Sequence, residues 1–119
     1  MKTSQSKRFY IFNPDVALMA FSPLLKGLFN DSARRAAYYN WHVFDTADSA
    51  ARLAVLEKMA AELGVTGNQL VLAWMLHLEA PKTIPLLGFS RMSQFEENLK
   101  ALDISLSPEQ MATLSNAGA

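Results

Sequence analysis

Residues 83–98 hold the densest set of features that could do chemistry. An apolar run ends at Gly88, Ser90 and Arg91 follow, and an amphipathic pattern then predicts a helix. In α/β proteins this arrangement forms anion sites, because loop N–H groups, a cation and the positive end of a helix dipole converge on the ligand. Arg91 adds a planar guanidinium that suits phosphate. On spacing alone, however, we favour a simple connecting loop with a solvated arginine, since one glycine and one arginine form a weak motif.

The composition argues against several other kinds of chemistry. The 119 residues carry 11 basic and 11 acidic side chains, so no bulk charge points to a nucleic acid or to an anionic membrane. No cysteine is present, which removes disulfides, thiolate metal sites and thiol nucleophiles, and we expect a cytoplasmic protein. His42 and His77 are too few for a histidine-rich metal site. No apolar run reaches the roughly 20 residues of a membrane span, and the run after the basic N-terminus is too short for a signal peptide.

Two apolar runs predict the strands that must position these residues. Residues 16–21 are bounded by prolines, and their length suits a strand buried on both faces of a parallel sheet. Residues 83–87 predict a second strand, which ends in a tight turn at Gly88. A loop with the backbone freedom of Gly27 follows the first strand. Because helical patterns separate the two runs, we expect the strands to pair in parallel through a right-handed crossover.

Helix signals fill most of the chain between and after the strands. Thr46 or Asp48 can cap a helix that Gly64 ends, and Thr66 with Gln69 forms a capping-box pattern that begins the next, nearly all-apolar helix. Further amphipathic helices are predicted after the second strand and at the C-terminal end.

Two segments lack a clear pattern. Residues 1–13 read as a polar lead into a short aromatic cluster. Residues 30–48 are irregular and rich in aromatic side chains, which is typical either of a functional loop or of partly helical packing. Two parallel strands do not make a self-sufficient core, because both edges of the sheet stay open. We therefore expect residues 1–119 to form one partial domain of a larger α/β fold.

Four groups of segments match a known family in order and spacing. They are residues 20–24 (AFSPL), residues 61–66 (AELGVT) with 70–74 (LVLAW), residues 85–98 (PLLGFSRMSQFEEN), and residues 102–110 (LDISLSPEQ). Together they resemble the C-terminal part of an aldo-keto reductase. The resemblance covers nearly the whole chain. It implies strands seven and eight, with their helices, of a (β/α)8 TIM barrel whose members reduce aldehydes and ketones with NADPH, less often NADH.

The resemblance also implies cofactor contacts residue by residue. Phe21 takes the place of an aromatic ring, usually tyrosine, that stacks on the nicotinamide. The pyrophosphate would be met by loop residues, which are Ser22, Leu24, Lys26 and Gly27. The 2′-phosphate, ribose and adenine would be met by a second set, which is Gly88, Ser90, Arg91, Gln94, Glu97 and Asn98. For Glu97 and Asn98 the alternative is a solvated helix face.

The resemblance implies no catalytic residue in this chain. The family uses a tyrosine acid tuned by lysine and aspartate, with a histidine that orients substrate, and these come from the first strands of the barrel. Residues 44–48 (FDTAD) imitate the segment with the catalytic aspartate, but Ala50 stands where its tyrosine would be, so we interpret this segment as a loop and helix cap. The other residues of catalytic type, whose spacing assembles no site, are Tyr10, Tyr38, Tyr39 and His42.

Three interpretations of function stay open. The chain is the cofactor-binding part of an oxidoreductase and is inactive alone, or it is a non-enzymatic module for binding or assembly. In the third interpretation it is half of a split reductase, completed by self-association or by a second chain. Nucleotide binding separates the first interpretation from the second, and co-purification with a larger chain marks the third. Nothing in the sequence names the carbonyl substrate.

Overall fold

The computed structural model describes residues 5–118, without the side chains of residues 5–7, 26 and 44. Within this range the fold is α/β, with two parallel strands and seven α-helices. In chain order the elements are α1 (Gln5–Phe12), β1 (Leu18–Phe21), a 3-10 helix (Leu25–Asn30), α2 (Ser32–Ala37), α3 (Trp41–Phe44), α4 (Ala47–Leu63), α5 (Gly67–Leu76), β2 (Thr83–Leu86), α6 (Met92–Leu99), a second 3-10 helix (Lys100–Asp103) and α7 (Pro108–Asn116).

The two predicted strands form and pair in parallel, in a register that places Leu18 opposite Thr83 and Phe21 opposite Leu86. Both are slightly shorter than predicted. β1 starts later because Val16 donates its N–H to Asn13 in a turn before the strand. The tight turn predicted at Gly88 is wrong. Gly88 lies outside the left-handed region and continues the strand into an open loop that bends only at Ser90 and Arg91.

The helix caps follow the local chemistry of the sequence. Thr46 Oγ1 accepts the N–H of Ser49 at the start of α4, and Gly64 ends that helix with φ 67°. Thr66 and Gln69 form the predicted capping box of α5, with Thr66 Oγ1 and Gln69 Oε1 each accepting the other residue's N–H. These reciprocal bonds satisfy donors that the first helical turn leaves open. The two longest helices are therefore confirmed.

The two segments without a clear pattern contain helices. No element was predicted within residues 1–13, and α1 forms there; its Phe9 and Tyr10 rings pack edge to face with centroids 5.3 Å apart. The first four residues of that lead lie outside the described range. Residues 30–48 contain α2 and α3, so partly helical packing is the correct alternative there. Asp31 caps α2 by accepting the N–H of Arg34 at 2.9 Å.

The core lies between helices and not around the sheet. One buried cluster joins α4 to α5 through Leu56, Met59, Ala60 and Leu70, and a second cluster joins Leu24, Leu72 and Ala101. The first turn of α5 approaches the 3-10 helix of residues 25–30 so closely that a Cβ on Gly67 would overlap the carbonyl oxygen of Phe29. This contact fixes the loop after β1 against the N-terminus of α5.

One side of the sheet carries exposed apolar side chains. Met19 and Phe21 of β1 alternate into solvent with exposed fractions of 62% and 82%, and Ile84 and Leu86 of β2 stand opposite them at 46% and 47%. We call these four residues the apolar sheet face. On the other side Thr83 is buried and α5 packs on β2. A sheet in a complete α/β domain is covered on both faces, so this face is suited to packing against further structure.

Within residues 5–118, every helix is too short or too polar to span a lipid bilayer.

Candidate functional site

A cleft of about 760 Å³ opens at the carboxyl ends of both strands. Parallel pairing produces it, because Phe21 and Leu86 stand side by side and the chain leaves both strands at the same edge of the sheet. We call it the strand-end cleft. Its walls come from the loop after β1, the start of α2, the loop after β2, α6 and the N-terminal turn of α5. Its volume falls within the range of ordinary ligand pockets, roughly 300–1,000 Å³.

Most of the residues that the resemblance implicates lie around this one cleft. Nine of them line it, namely Phe21, Ser22, Leu24, Gly27, Gly88, Ser90, Gln94, Glu97 and Asn98. Arg91 does not line the cleft, and its side chain is exposed. The side chain of Lys26 lies outside the part of the chain that the structure describes. Residues 21–27 and residues 88–98 are about 65 positions apart in sequence, yet they meet in space. This is the first requirement for one ligand to touch both.

The loop after β1 has an unusual backbone. Ser22 and Leu25 have φ angles of 50° and 47°, in the left-handed region that non-glycine residues rarely adopt, and Gly27 follows with φ 82°. Leu25 donates its N–H to Ser22, and Gly27 donates its N–H to Leu24 at 2.9 Å. Such conformations persist when packing enforces them, and they cluster at binding sites. The Gly27 N–H is already used inside the loop, so this glycine offers space to a ligand and no free donor.

Glu97 is the most tightly held polar residue of the cleft. Its Oε1 accepts hydrogen bonds from Asn30 Nδ2 and Thr66 Oγ1, both at 2.8 Å, and its carbonyl oxygen accepts from Gln69 Nε2 at 2.9 Å. Asn30 also accepts the N–H of Asn68 at 2.8 Å. These bonds join the loop after β1, the capping box of α5 and the last turn of α6. One carboxylate oxygen is thus fixed, and the carboxylate is oriented before any ligand arrives.

Gln94 serves the start of α6. Its Oε1 accepts the N–H of Ser90 at 3.0 Å and the N–H of Arg91 at 3.3 Å, as a side chain does when it satisfies open donors of a first helical turn. Its carbonyl end is therefore occupied within the chain. The resemblance implies Gln94 as a cofactor contact, and the structure gives this side chain a capping role in the wall of the same cleft.

Aromatic rings mark both strand ends. Phe21 leaves β1 with an exposed fraction of 82%, and its ring makes one wall of the cleft. Phe89 follows β2, and its ring packs on the ring of Phe95 of α6, with the two ring centroids 4.8 Å apart. An exposed ring beside polar groups is the arrangement that holds a planar ligand by stacking.

Four polar lining residues escaped the sequence analysis, namely Asn30, Asp31, Arg34 and Asn68. The first three lie in the irregular segment, where no periodicity places them, and Asn68 lies in the first turn of a helix that reads as fully buried. Asp31 gave one local signal, since it precedes α2 at the spacing of an N-cap. Their presence in the cleft depends on how the 3-10 helix after β1 packs on α5. Local sequence patterns do not specify such packing between distant segments.

The residues of catalytic type stand elsewhere. None of the described residues Tyr10, Tyr38, Tyr39, His42 and Asp45 lines the strand-end cleft. The interpretation of residues 44–48 as a helix cap is confirmed, because this segment ends α3 and begins α4. The cleft has the groups to hold a ligand and, within the described residues, no tyrosine, lysine or histidine in its lining to donate a proton.

Comparisons with known proteins agree with these observations. The sequence profile described as the aldo/keto reductase family matches residues 5–119. An uncharacterized oxidoreductase of Schizosaccharomyces pombe is 30% identical over 82 residues, which cover 69% of this chain and 26% of that protein. An NADP⁺-dependent aryl-alcohol dehydrogenase of Phanerodontia chrysosporium is 41% identical over 61 residues, which cover 51% of this chain and 16% of that protein. The matched parts amount to about a quarter or less of these relatives.

The profile match spans almost the full chain, and the oxidoreductase relatives agree with it. The chain therefore belongs to the aldo/keto reductase family of oxidoreductases, whose fold is a (β/α)8 barrel.

Proposed function

We propose that this chain is the cofactor-binding, C-terminal part of an aldo/keto reductase, an oxidoreductase that transfers hydride between NADPH and an aldehyde or ketone. In this proposal β1 and β2 are the seventh and eighth strands of the barrel. One observation carries the proposal: the loops after both strands, with Glu97 and Asn98 of α6, line a single cleft at the carboxyl edge of the sheet. Ligands of such barrels bind at this edge, often with a phosphate near the last two strands.

The residues present fit a dinucleotide. Phe21 offers an exposed ring face for the nicotinamide, and the strained loop through Ser22 and Gly27 leaves room for a diphosphate. Glu97, already held by two donors, presents its other carboxylate oxygen as an acceptor for a ribose hydroxyl or the adenine amino group. NADPH, when bound, supplies the hydride. The chain's own side chains hold and orient it, and NADPH is our proposed cofactor over NADH because a relative is named as NADP⁺-dependent.

Reduction of a carbonyl also needs a proton at the developing alkoxide. Because no described residue of the cleft is of a type and placement to donate it, we propose that the isolated chain is inactive and that the catalytic set comes from other strands of the barrel. The apolar sheet face supports this assembly, since its four side chains stand where further barrel strands would cover them. Those strands belong either to the same polypeptide or to a second chain.

The test compares two phenylalanines of equal exposure. Phe21 and Phe12 are 82% and 81% exposed, but only Phe21 lines the cleft. We expect the purified chain to bind NADPH saturably but weakly, by titration of NADPH fluorescence, and Phe21→Ala to weaken binding about 2- to 10-fold, as loss of one stacked ring does. Phe12→Ala should bind as the unmodified chain. Absence of saturable binding, or equal loss in both variants, would overturn the proposal.

The same preparation tests inactivity. With a panel of reactive aldehydes, we expect no NADPH oxidation above the rate without protein, after removal of host reductases. Oxidation that rises with the protein concentration and disappears in Phe21→Ala would show that the isolated chain assembles its own proton donor.

A further inference from the structure

Arg34 brings a positive charge into the strand-end cleft. Among described side chains it is the one cation in the lining, and it makes no hydrogen bond or ion pair with the rest of the described chain through its guanidinium. Its neighbour Arg35 shows the contrast. Arg35 is buried, donates Nη1 to Leu28 at 2.9 Å and pairs through Nη2 with Glu57. Adjacent arginines therefore have different uses, one inside the protein and one open to the cleft.

The space beside Gly27, which has no side chain, is where the Arg34 guanidinium lies. A Cβ placed on Gly27 would lie 3.6 Å from Arg34 Nη1 and equally 3.6 Å from Asn68 Nδ2. A guanidinium donor and an amide donor therefore face the same small volume, next to a backbone with no side chain of its own. An arrangement of N–H donors around a glycine is suited to a phosphate oxygen, because the ligand can approach the backbone closely.

Asn68 is an unsatisfied polar group at this point. The residue is 7% exposed, its Oδ1 is buried without a hydrogen-bond partner, and its Nδ2 donates to nothing in the described residues. Its backbone N–H is used by Asn30. The open Nδ2 can donate to a ligand oxygen, because this end of the amide faces the space over Gly27. The buried Oδ1 is an acceptor and takes no part in binding a phosphate.

The charges around the cleft make Arg34 necessary for an anion. Asp31 and Glu97 also line the cleft, and both are acidic. Glu97 Oε1 has two donors, and Asp31 caps the backbone of α2, so neither carboxylate holds the guanidinium of Arg34. An anionic ligand without this guanidinium would meet two carboxylates and no described cation in the lining.

We propose that Arg34 and Asn68 bind the diphosphate bridge of the dinucleotide, over Gly27. This inference rests on the proposed function, in which Phe21 holds the nicotinamide and Glu97 the adenosine end. The diphosphate links those two ends, and Arg34 and Asn68 line the same cleft as Phe21 and Glu97. Because NADPH and NADH share the diphosphate, Arg34 sets affinity for both and does not select between them.

The test replaces Arg34 with glutamine and compares ligands that share or lack the diphosphate. For Arg34→Gln we expect binding of NADPH, NADH and ADP to weaken about 10- to 100-fold, as for loss of a charged hydrogen bond. Binding of adenosine 2′-phosphate, which has no diphosphate, should be unchanged. Arg8→Gln, which removes the same charge from α1, is the matched control, and circular dichroism checks that each variant is folded.

The outcomes separate the two proposals. If the unmodified chain binds none of the four nucleotides, the proposed function fails. If it binds NADPH and Arg34→Gln binds equally well, only the role of Arg34 fails. A loss for NADPH with no loss for NADH or ADP would assign Arg34 to the 2′-phosphate and would also overturn the inference.

Discussion

Replacing Asn30 with alanine should disconnect the two walls of the strand-end cleft. Asn30 Nδ2 donates to Glu97 Oε1, and Asn30 Oδ1 accepts the N–H of Asn68, both at 2.8 Å. Asn30→Ala removes a hydrogen bond to a charged acceptor and leaves a buried helix N–H without its partner. The first loss costs about 1.5 kcal/mol, taken at the low end because Asn30 is exposed, and the orphaned N–H adds about 1 kcal/mol.

The expected destabilisation is therefore about 2.5 kcal/mol in the free energy of unfolding. With an m-value of about 1.5 kcal/mol/M for a small domain, the urea midpoint should fall by roughly 1.7 M, measured by circular dichroism at one fixed protein concentration. Asn40→Ala is the control, because Asn40 begins α3 without a side-chain capping bond. We expect its effect to stay within about 0.5 kcal/mol.

The same variant should weaken NADPH binding, because Glu97 loses one of the two donors that orient its carboxylate. An Asn30→Ala chain that unfolds at the same urea concentration as the unmodified chain would refute the reasoning. It would mean that Thr66 and Gln69 alone fix Glu97 and that the link from the loop after β1 contributes nothing.

Three further predictions concern packing, cofactor choice and assembly. Gly67→Ala places a methyl group against the carbonyl oxygen of Phe29 and should lower the free energy of unfolding by about 1–3 kcal/mol, whereas Gly88→Ala, with no atom within 4 Å of its Cβ, should be nearly neutral in the same thermal melt. Arg91→Ala should weaken NADPH about tenfold and leave NADH unchanged if Arg91 reads the 2′-phosphate, and equal loss for both would exclude that role. The chain should sediment as an oligomer, because both edges of its two-stranded sheet are open and its apolar sheet face is exposed, and a cooperatively unfolding monomer would contradict this.

Local chemistry made the long elements predictable. Thr46 and Gly64 bound α4 because a hydroxyl can accept an open N–H and glycine can adopt a positive φ, and both signals are read from single residues. The capping box of Thr66 and Gln69 is equally local. The parallel pairing of the strands was predictable from the helices between them. Parallel strands need a long crossover connection, whereas a short hairpin turn joins antiparallel strands.

The rest of the site depends on contacts between distant residues. Asn30 and Glu97 are 67 positions apart, and nothing in the sequence near either one specifies their hydrogen bond. Arg34 and Arg35 are adjacent and chemically identical, yet one is buried against Glu57 and the other lines the cleft, since their positions on the short helix α2 differ. The family resemblance supplied the candidate residues after the strands, and neither it nor the local patterns indicated the residues that reach the cleft through packing.

The strand-end cleft has two sides that differ in what holds them. The wall around Glu97 is fixed by hydrogen bonds within this chain, from Asn30, Thr66 and Gln69. The wall around Phe21 lies on the apolar sheet face, where the ring has little packing in this chain. Covering that face should therefore order Phe21 and leave the Glu97 side unchanged. It follows that completing the barrel should increase affinity for NADPH more than for ADP, because ADP has no nicotinamide and gains nothing from an ordered ring.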